Sequence, residues 1–304
     1  MSLRGLVAAL ALWLGLAGPA LASDDHGRRV EVENVKAAGL PDQRLTIWLP
    51  PGYDTSKRRY GVVYMHDGHN LFDVKVSNFN KIWAADKAML AAARRGRFQP
   101  YIIVGIWAPG NDRYRQYLPR DIYDAAGPAE RARMDKLTGG PIISDAYLAW
   151  LAGPLKRWVD KNYRTRPGRM ATAIAGSSMG GLMSCYAFLR RPEIYGRAAC
   201  VSSHWPAADP GNPGAFDADL AARWDGWFKR YLGRPVGRRL WMDHGTATLD
   251  AWYGPYQQVI DARMAASGWQ RGRDWESKVY PGAEHEENAW AARLPEIFGW
   301  LLRR

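Results

Sequence analysis

The sequence predicts an α/β fold, a mostly parallel central sheet with helices on both faces, entered through an N-terminal antiparallel hairpin. Three observations predict it. Apolar runs alternate with helical stretches of about ten residues or more along most of the 304-residue chain. Two of those runs, Tyr60–Met65 and Tyr101–Trp107, are apolar at almost every position, as a strand buried on both faces requires. The first stops at His66-Asp67-Gly68-His69-Asn70, and in open parallel sheets ligands bind beyond the carboxyl ends of strands.

The elements follow in order. Residues Arg29–Val35 and Gln43–Leu49 alternate apolar and polar side chains and pair as a hairpin. Ile82–Arg95 reads as a helix before the Tyr101–Trp107 strand, and Ala108–Gly140 as a long polar loop. Ile142–Tyr163 is a long amphipathic helix. Met170–Ala175 is a buried strand, Gly181–Arg190 a helix and Arg197–Ser203 a strand. Pro206–Gly214 is a loop, Phe216–Leu232 a helix, Arg239–Asp243 a strand and Tyr256–Ser267 a helix. Trp275–Tyr280 is the last strand and Ala289–Leu302 the terminal helix. With no linker or internal repeat, residues 23–304 are expected to form one domain.

Residues 1–22 carry Arg4, the apolar run Leu6–Leu16 and an Ala20-Leu21-Ala22 site, the pattern of a cleavable signal peptide. The run is shorter than the ~20 residues of a membrane span, so no stable insertion is expected after cleavage. A periplasmic or secreted bacterial protein is expected. The two cysteines, Cys185 and Cys200, rule out a disulfide scaffold; export would permit a bond between them, but they are read as buried core thiols. No ligand cluster suggests a metal, and no motif a cofactor. The net charge of +12 is scattered rather than gathered on one face, which argues against nucleic-acid binding.

The chemistry centres on Gly176-Ser177-Ser178-Met179-Gly180, a G-x-S-x-G between a strand and a helix. That context is the one a nucleophile elbow needs: a sharp turn, flanked by small residues, that lifts Ser178 above the sheet. The Met179 N–H, at a helix N-terminus, then faces the oxyanion of an attacked carbonyl. A hydroxyl needs a base, and the base needs an acid to hold its tautomer. The element order is that of an α/β-hydrolase, in which the partners follow as Ser, acid, His. Of six histidines only His285 lies beyond every candidate acid, in the loop between the last strand and last helix. Asp250, in the loop after Arg239–Asp243, is preferred as the acid over Asp243, which would brace that loop. The second oxyanion donor is expected to be the backbone N–H of His69.

Arg113 would reach an anionic or catecholate-bearing substrate, or else form a salt bridge. Trp205, Trp252 and Tyr253 are loop aromatics that would line an acyl or sugar pocket, unless they are core.

Taken together, Leu49-Pro50-Pro51-Gly52-Tyr53, Met65 to Phe72, Asn111 to Pro119, the elbow and Gly282-Ala283-Glu284-His285-Glu286 resemble the putative-esterase family within the α/β-hydrolases. That group includes feruloyl and acetyl esterases, S-formylglutathione hydrolase, enterochelin esterases and mycolyltransferases. The resemblance covers nearly the whole mature chain. It implies oxyanion amides at His69 and Met179, and a small-molecule or glycan ester as substrate. Where the family's acid often follows a Gly-Thr turn closely, three residues here separate Gly245-Thr246 from Asp250. The expected activity is that of an exported serine esterase. Acyl transfer to a sugar or lipid acceptor is one alternative, and a non-catalytic binding protein on a hydrolase scaffold is another.

Overall fold

The structure, a computed structural model, describes residues 25–303; the leader expected over residues 1–22 lies outside them. Eight strands form one sheet: β1 (Arg28–Val35), β2 (Gln43–Leu49), β3 (Val62–His66), β4 (Ile102–Ile106), β5 (Thr172–Ser177), β6 (Arg197–Val201), β7 (Arg239–Gly245) and β8 (Trp275–Tyr280). Their order is β1-β2-β4-β3-β5-β6-β7-β8. β1 pairs β2, and β2 pairs β4, antiparallel. The remaining pairs are parallel. The expected architecture is therefore present. The central strands β3 to β6 are buried at every position, because helices cover both faces.

Strand alternation divides the core into two layers. Val63, Met65, Ile103, Ala173 and Ala199 face α1 (Ala85–Gly96), which packs on one side with the last helix. Val62, Tyr64, Val104, Ile174 and Ala198 face the larger layer on the other side. That layer holds α2 (Arg113–Tyr117), α3 (Arg120–Asp124), α4 (Pro128–Thr138), α5 (Ser144–Trp150), α6 (Lys156–Asn162), α7 (Met179–Arg190), α8 (Ala218–Tyr231) and α9 (Gly254–Ala266); the chain closes with α10 (Glu287–Leu302).

Three expectations change. The polar segment 108–140 is not a loop but contains α2, α3 and α4. Two of those helices have only five residues, too few to show a 3.6-residue period. Tertiary contacts hold them: Asp121 accepts from Arg190 at 2.5 Å and from Trp227 at 2.9 Å. The single helix expected over 142–163 is instead α5 and α6 joined through a wider π turn, Leu151–Leu155. Pro154 sits in that turn. It has no N–H to donate to the preceding turn, so the helix widens there rather than breaking. Finally, Cys185 and Cys200 are not free thiols but a disulfide. α7 lies flat on β6, which brings their Cα atoms to 5.9 Å, within bonding range.

Candidate active site

Ser178 occupies the bend between β5 and α7 with φ 56° and ψ −125°, a conformation that non-glycine residues rarely adopt. Its backbone is pinned on three sides. The Ser178 N–H donates to Val201 at 3.0 Å, while its carbonyl accepts from Leu182 at 3.1 Å and His204 at 3.2 Å. Gly176 is required here: a Cβ at that position would lie 2.7 Å from the Gly180 carbonyl oxygen. Immediately below, His66 is buried and pushed down to about 4 by loss of solvent. It packs beneath the elbow and points its Nδ1 at the Tyr147 hydroxyl, 3.1 Å away.

The β8–α10 loop delivers His285 to the same cleft. A cavity of about 520 Å³ is lined by Ser178, His285, Asp67, Asn70, Arg113, Tyr114, Leu249, Glu287 and Trp290 among others. His285 Nδ1 lies 2.6 Å from Oδ1 of Asp250. Its backbone N–H donates to Thr248 at 2.8 Å, and its ring stands edge-on to Trp290 with centroids 5.0 Å apart. These contacts fix the imidazole plane and leave Nε2 as the free nitrogen.

Asp250 is fully buried, which alone would favour its neutral form. Hydrogen bonds from His285, from Ser202 Oγ at 2.6 Å and from the Gly245 N–H at 2.5 Å outweigh that and hold it below the usual carboxylate range. Asp243 faces elsewhere. Its oxygens take Trp241 Nε1 at 2.6 Å and Arg293 at 2.9 Å, while burial pushes its carboxyl upward. Asp243 is thus out of the His285 pairing and braces the strand end.

Arg293 and Ser202 were not marked by the sequence. The Arg293 guanidinium donates to Ser202 Oγ at 2.5 Å, and Trp290 Nε1 donates to the same oxygen at 3.1 Å. Ser202 in turn donates to Asp250. The available signal was an arginine on the otherwise apolar inner face of the terminal helix.

The loop after β3 turns at Asp67, whose φ of 55° and ψ of 49° are left-handed. Gly68 is needed at the next position because a Cβ would meet the Gly105 backbone at 2.6 Å. A short turn, Gly68–Asn70, uses the N–H groups of Asn70 and Leu71 internally. Its leading amides have no acceptor within the turn. The His69 ring has its Nε2 3.0 Å from the Asn78 amide and lines a second cavity beside Arg44 and Trp107.

The remaining expected pocket residues divide. Arg113 lines the cleft, but two of its nitrogens are committed to Asp67. Trp205 does not line it: it is 1% exposed, bonded to Gln257 and packed on Trp224 and Phe228. Trp252 lies exposed on the turn after β7 and is also outside the lining. Among the described residues, no group of three or more His, Cys, Asp or Glu side chains is placed to hold a metal ion.

A family model described as Putative esterase matches residues 41–301. The chain belongs to that family. Its fold is of α/β-hydrolase type. The uncharacterized protein YbbA of Bacillus subtilis is 26% identical over 165 residues, 54% of this chain and 58% of YbbA. The match therefore spans little more than half of that relative. Among solved structures, an IroE-like serine hydrolase from Shewanella oneidensis superposes with a TM-score of 0.65 at 15% identity, covering 88% of this chain and 79% of that one. The feruloyl esterase module of Clostridium thermocellum, solved with sinapinate, gives 0.61 at 16% over 92% and 89%. An enterobactin esterase from Shigella flexneri gives 0.59 at 16% over 89% and 59%. At these identities the likeness is one of fold.

Proposed function

We propose that this protein is an exported serine esterase that cleaves a small-molecule or glycan ester through an acyl-enzyme. One observation carries the reading. Ser178, at a strained elbow, shares its cleft with an imidazole whose far nitrogen rests on a buried, ionised carboxylate.

The Ser178 oxygen attacks the ester carbonyl as His285 Nε2 takes its proton. Asp250 keeps Nδ1–H toward itself and stabilises the imidazolium that forms. The Met179 N–H at the start of α7 and the His69 N–H at the head of the Gly68 turn stabilise the oxyanion. His285 then protonates the leaving alcohol. Water, activated by the same imidazole, releases the acid and restores Ser178.

Export is supported by the leader-like pattern of residues 1–22 and by the Cys185–Cys200 bond, since disulfides persist in oxidising compartments. N-terminal sequencing of the mature protein from a cell-envelope or medium fraction should begin at Ser23.

The decisive experiment pairs hydrolysis of p-nitrophenyl, feruloyl and acetylated-sugar esters with labelling by a fluorophosphonate. Label on Ser178, a burst of alcohol, and a loss of roughly 10²–10⁴-fold or more in Ser178→Ala and His285→Ala are expected. Wild-type turnover in Ser178→Ala overturns the reading. An added alcohol that captures the acyl group faster than water would redefine the enzyme as a transferase.

A further inference from the structure

Glu287 stands two positions after His285, at the start of α10, and lines the cavity that holds Ser178. The residue is 7% exposed. Its Oε1 accepts from Asn70 Nδ2 at 3.1 Å. The amide cannot face the other way, because the Asn78 N–H donates to Asn70 Oδ1 at 2.8 Å and an N–H only donates. Among the described residues, no side chain donates to Glu287 Oε2 and no cation forms an ion pair with either oxygen.

The start of the helix does not need this carboxylate. Glu286 is the N-cap, and its side chain accepts from the Ala289 N–H at 2.9 Å. Glu286 also pairs with Lys81 at 2.8 Å, as Asp67 pairs with Arg113 at 2.7 Å. The cavity wall thus carries three carboxylates, Asp67, Glu286 and Glu287, against two cations, Lys81 and Arg113, each already paired. Glu287 is the carboxylate left over. Burial pushes its carboxyl upward, with Asp67 and Glu286 adding to the shift, against its own backbone N–H and Lys81. A carboxylate withdrawn from water beside one neutral side-chain donor is under-bonded, and a ligand can bring the second donor.

We infer that Glu287 is a specificity-determining residue, accepting a hydrogen bond from a hydroxyl or ammonium group on the ester and turning anionic esters away. The inference rests on Ser178 being the nucleophile of this cleft. An anion drawn toward Arg113 would meet a guanidinium whose charge Asp67 already balances, beside the unmatched charge of Glu287. No bond is made or broken at Glu287; it selects which esters lie well oriented at Ser178.

The test compares kcat/KM at about pH 7.5, where a substrate carboxylate and ammonium are both charged. Ethyl β-hydroxypropionate, the ethyl ester of β-alanine and monoethyl succinate are each set against ethyl butyrate. Glycerol monoacetate against propyl acetate makes the comparison on the alcohol side. Wild type is expected to favour a donor-bearing ester over its apolar counterpart by about 10-fold and to cleave monoethyl succinate worst. The hydroxyl and ammonium arms distinguish which donor the cleft takes. In Glu287→Gln the side-chain oxygen keeps the Asn70 bond and the N–H groups turn to the cleft. The preference should then fall about fivefold or more, and monoethyl succinate should gain about 10-fold relative to ethyl butyrate. A merely structural glutamate would lower every ester by a common factor, and that result overturns the inference. Should the variant fail to fold, the wild type decides alone: no preference in either series, or monoethyl succinate favoured over ethyl butyrate, overturns it. A wild-type enzyme that takes no fluorophosphonate at Ser178 and cleaves none of these esters sinks the esterase reading and this inference with it, a failure distinct from a lost preference.

Discussion

Arg113 grips both carboxylate oxygens of Asp67, Nε to Oδ1 at 2.8 Å and Nη2 to Oδ2 at 2.7 Å. A helix of the 108–140 segment is thereby fastened to the loop that turns over the elbow, at a residue held in a left-handed conformation. The pair takes two of the guanidinium nitrogens on the cleft wall.

Burial of Asp67 favours its neutral form, and the Arg113 charge reverses this to hold the carboxyl below its usual range. Arg113→Ala removes the reversal and leaves a buried charge. With Arg113 itself 23% exposed, a loss of about 2–3 kcal/mol is expected at pH 7, somewhat less than for a fully buried pair. The sign with pH follows. A depressed carboxylate contributes stability above its unfolded value, near 3.9, and loses it as pH falls through the folded one. In the variant Asp67 titrates upward, so the gap between wild type and variant should narrow in mild acid. Urea denaturation at several pH values measures it; a gap that widens toward pH 4 would contradict this assignment.

The two aspartates after β7 should separate by phenotype. Asp250→Asn alters the partner of His285 Nδ1 and favours the wrong tautomer, so kcat should drop about 10³–10⁴-fold with little change in KM. Asp243→Asn weakens the Arg293 contact and should cost about 1–3 kcal/mol in stability with a much smaller effect on kcat. Steady-state kinetics beside thermal melts of both variants would reveal an exchange of these roles.

Removing the disulfide should affect stability alone. The Cys185–Cys200 bond closes a loop across 15 positions, for which loop-closure entropy suggests about 3 kcal/mol. Cys185→Ala/Cys200→Ala should unfold at lower denaturant while keeping wild-type turnover per folded molecule. Both sulfurs are buried, so thiols should reduce the native protein slowly. Rapid reduction under native conditions would mean that α7 opens from β6 more readily than its packing implies.

The tryptophans offer a control. Trp205→Ala empties a core site and should cost about 3–5 kcal/mol. Trp252→Ala removes an exposed ring and should stay within about 0.5 kcal/mol. Neither should shift KM, because neither ring lines the cleft. A raised KM in Trp252→Ala would return that residue to the substrate site.

What the sequence made legible followed from local physics. The strands at 62–66 and 102–106 were visible because a strand buried on both faces must be apolar throughout. The elbow was visible because a strained bend between close backbones admits only small neighbours, as Gly176 illustrates. The hidden features depended on distant contacts. The five-residue helices at 113–117 and 120–124 have no amphipathic period to read and are held by partners such as Arg190 and Trp227. Trp205 and Trp252 look alike in a loop sequence, and the packing of α8 and α9 buries the first. Cys185 and Cys200 pair because α7 lies flat on β6. Arg293 stands on the inner face of its helix, but the carboxylates it meets come from a distant strand and turn.

The last of these residues ties the Asp243 and Asp250 carboxylates to α10. The carboxylate behind His285 is steadied through Ser202 by Arg293, which belongs to α10. α10 also supplies the Trp290 indole to the same Ser202 oxygen, so two of its side chains brace the Ser202–Asp250 pair. The seating of α10 and the geometry of the His285–Asp250 pair are therefore linked.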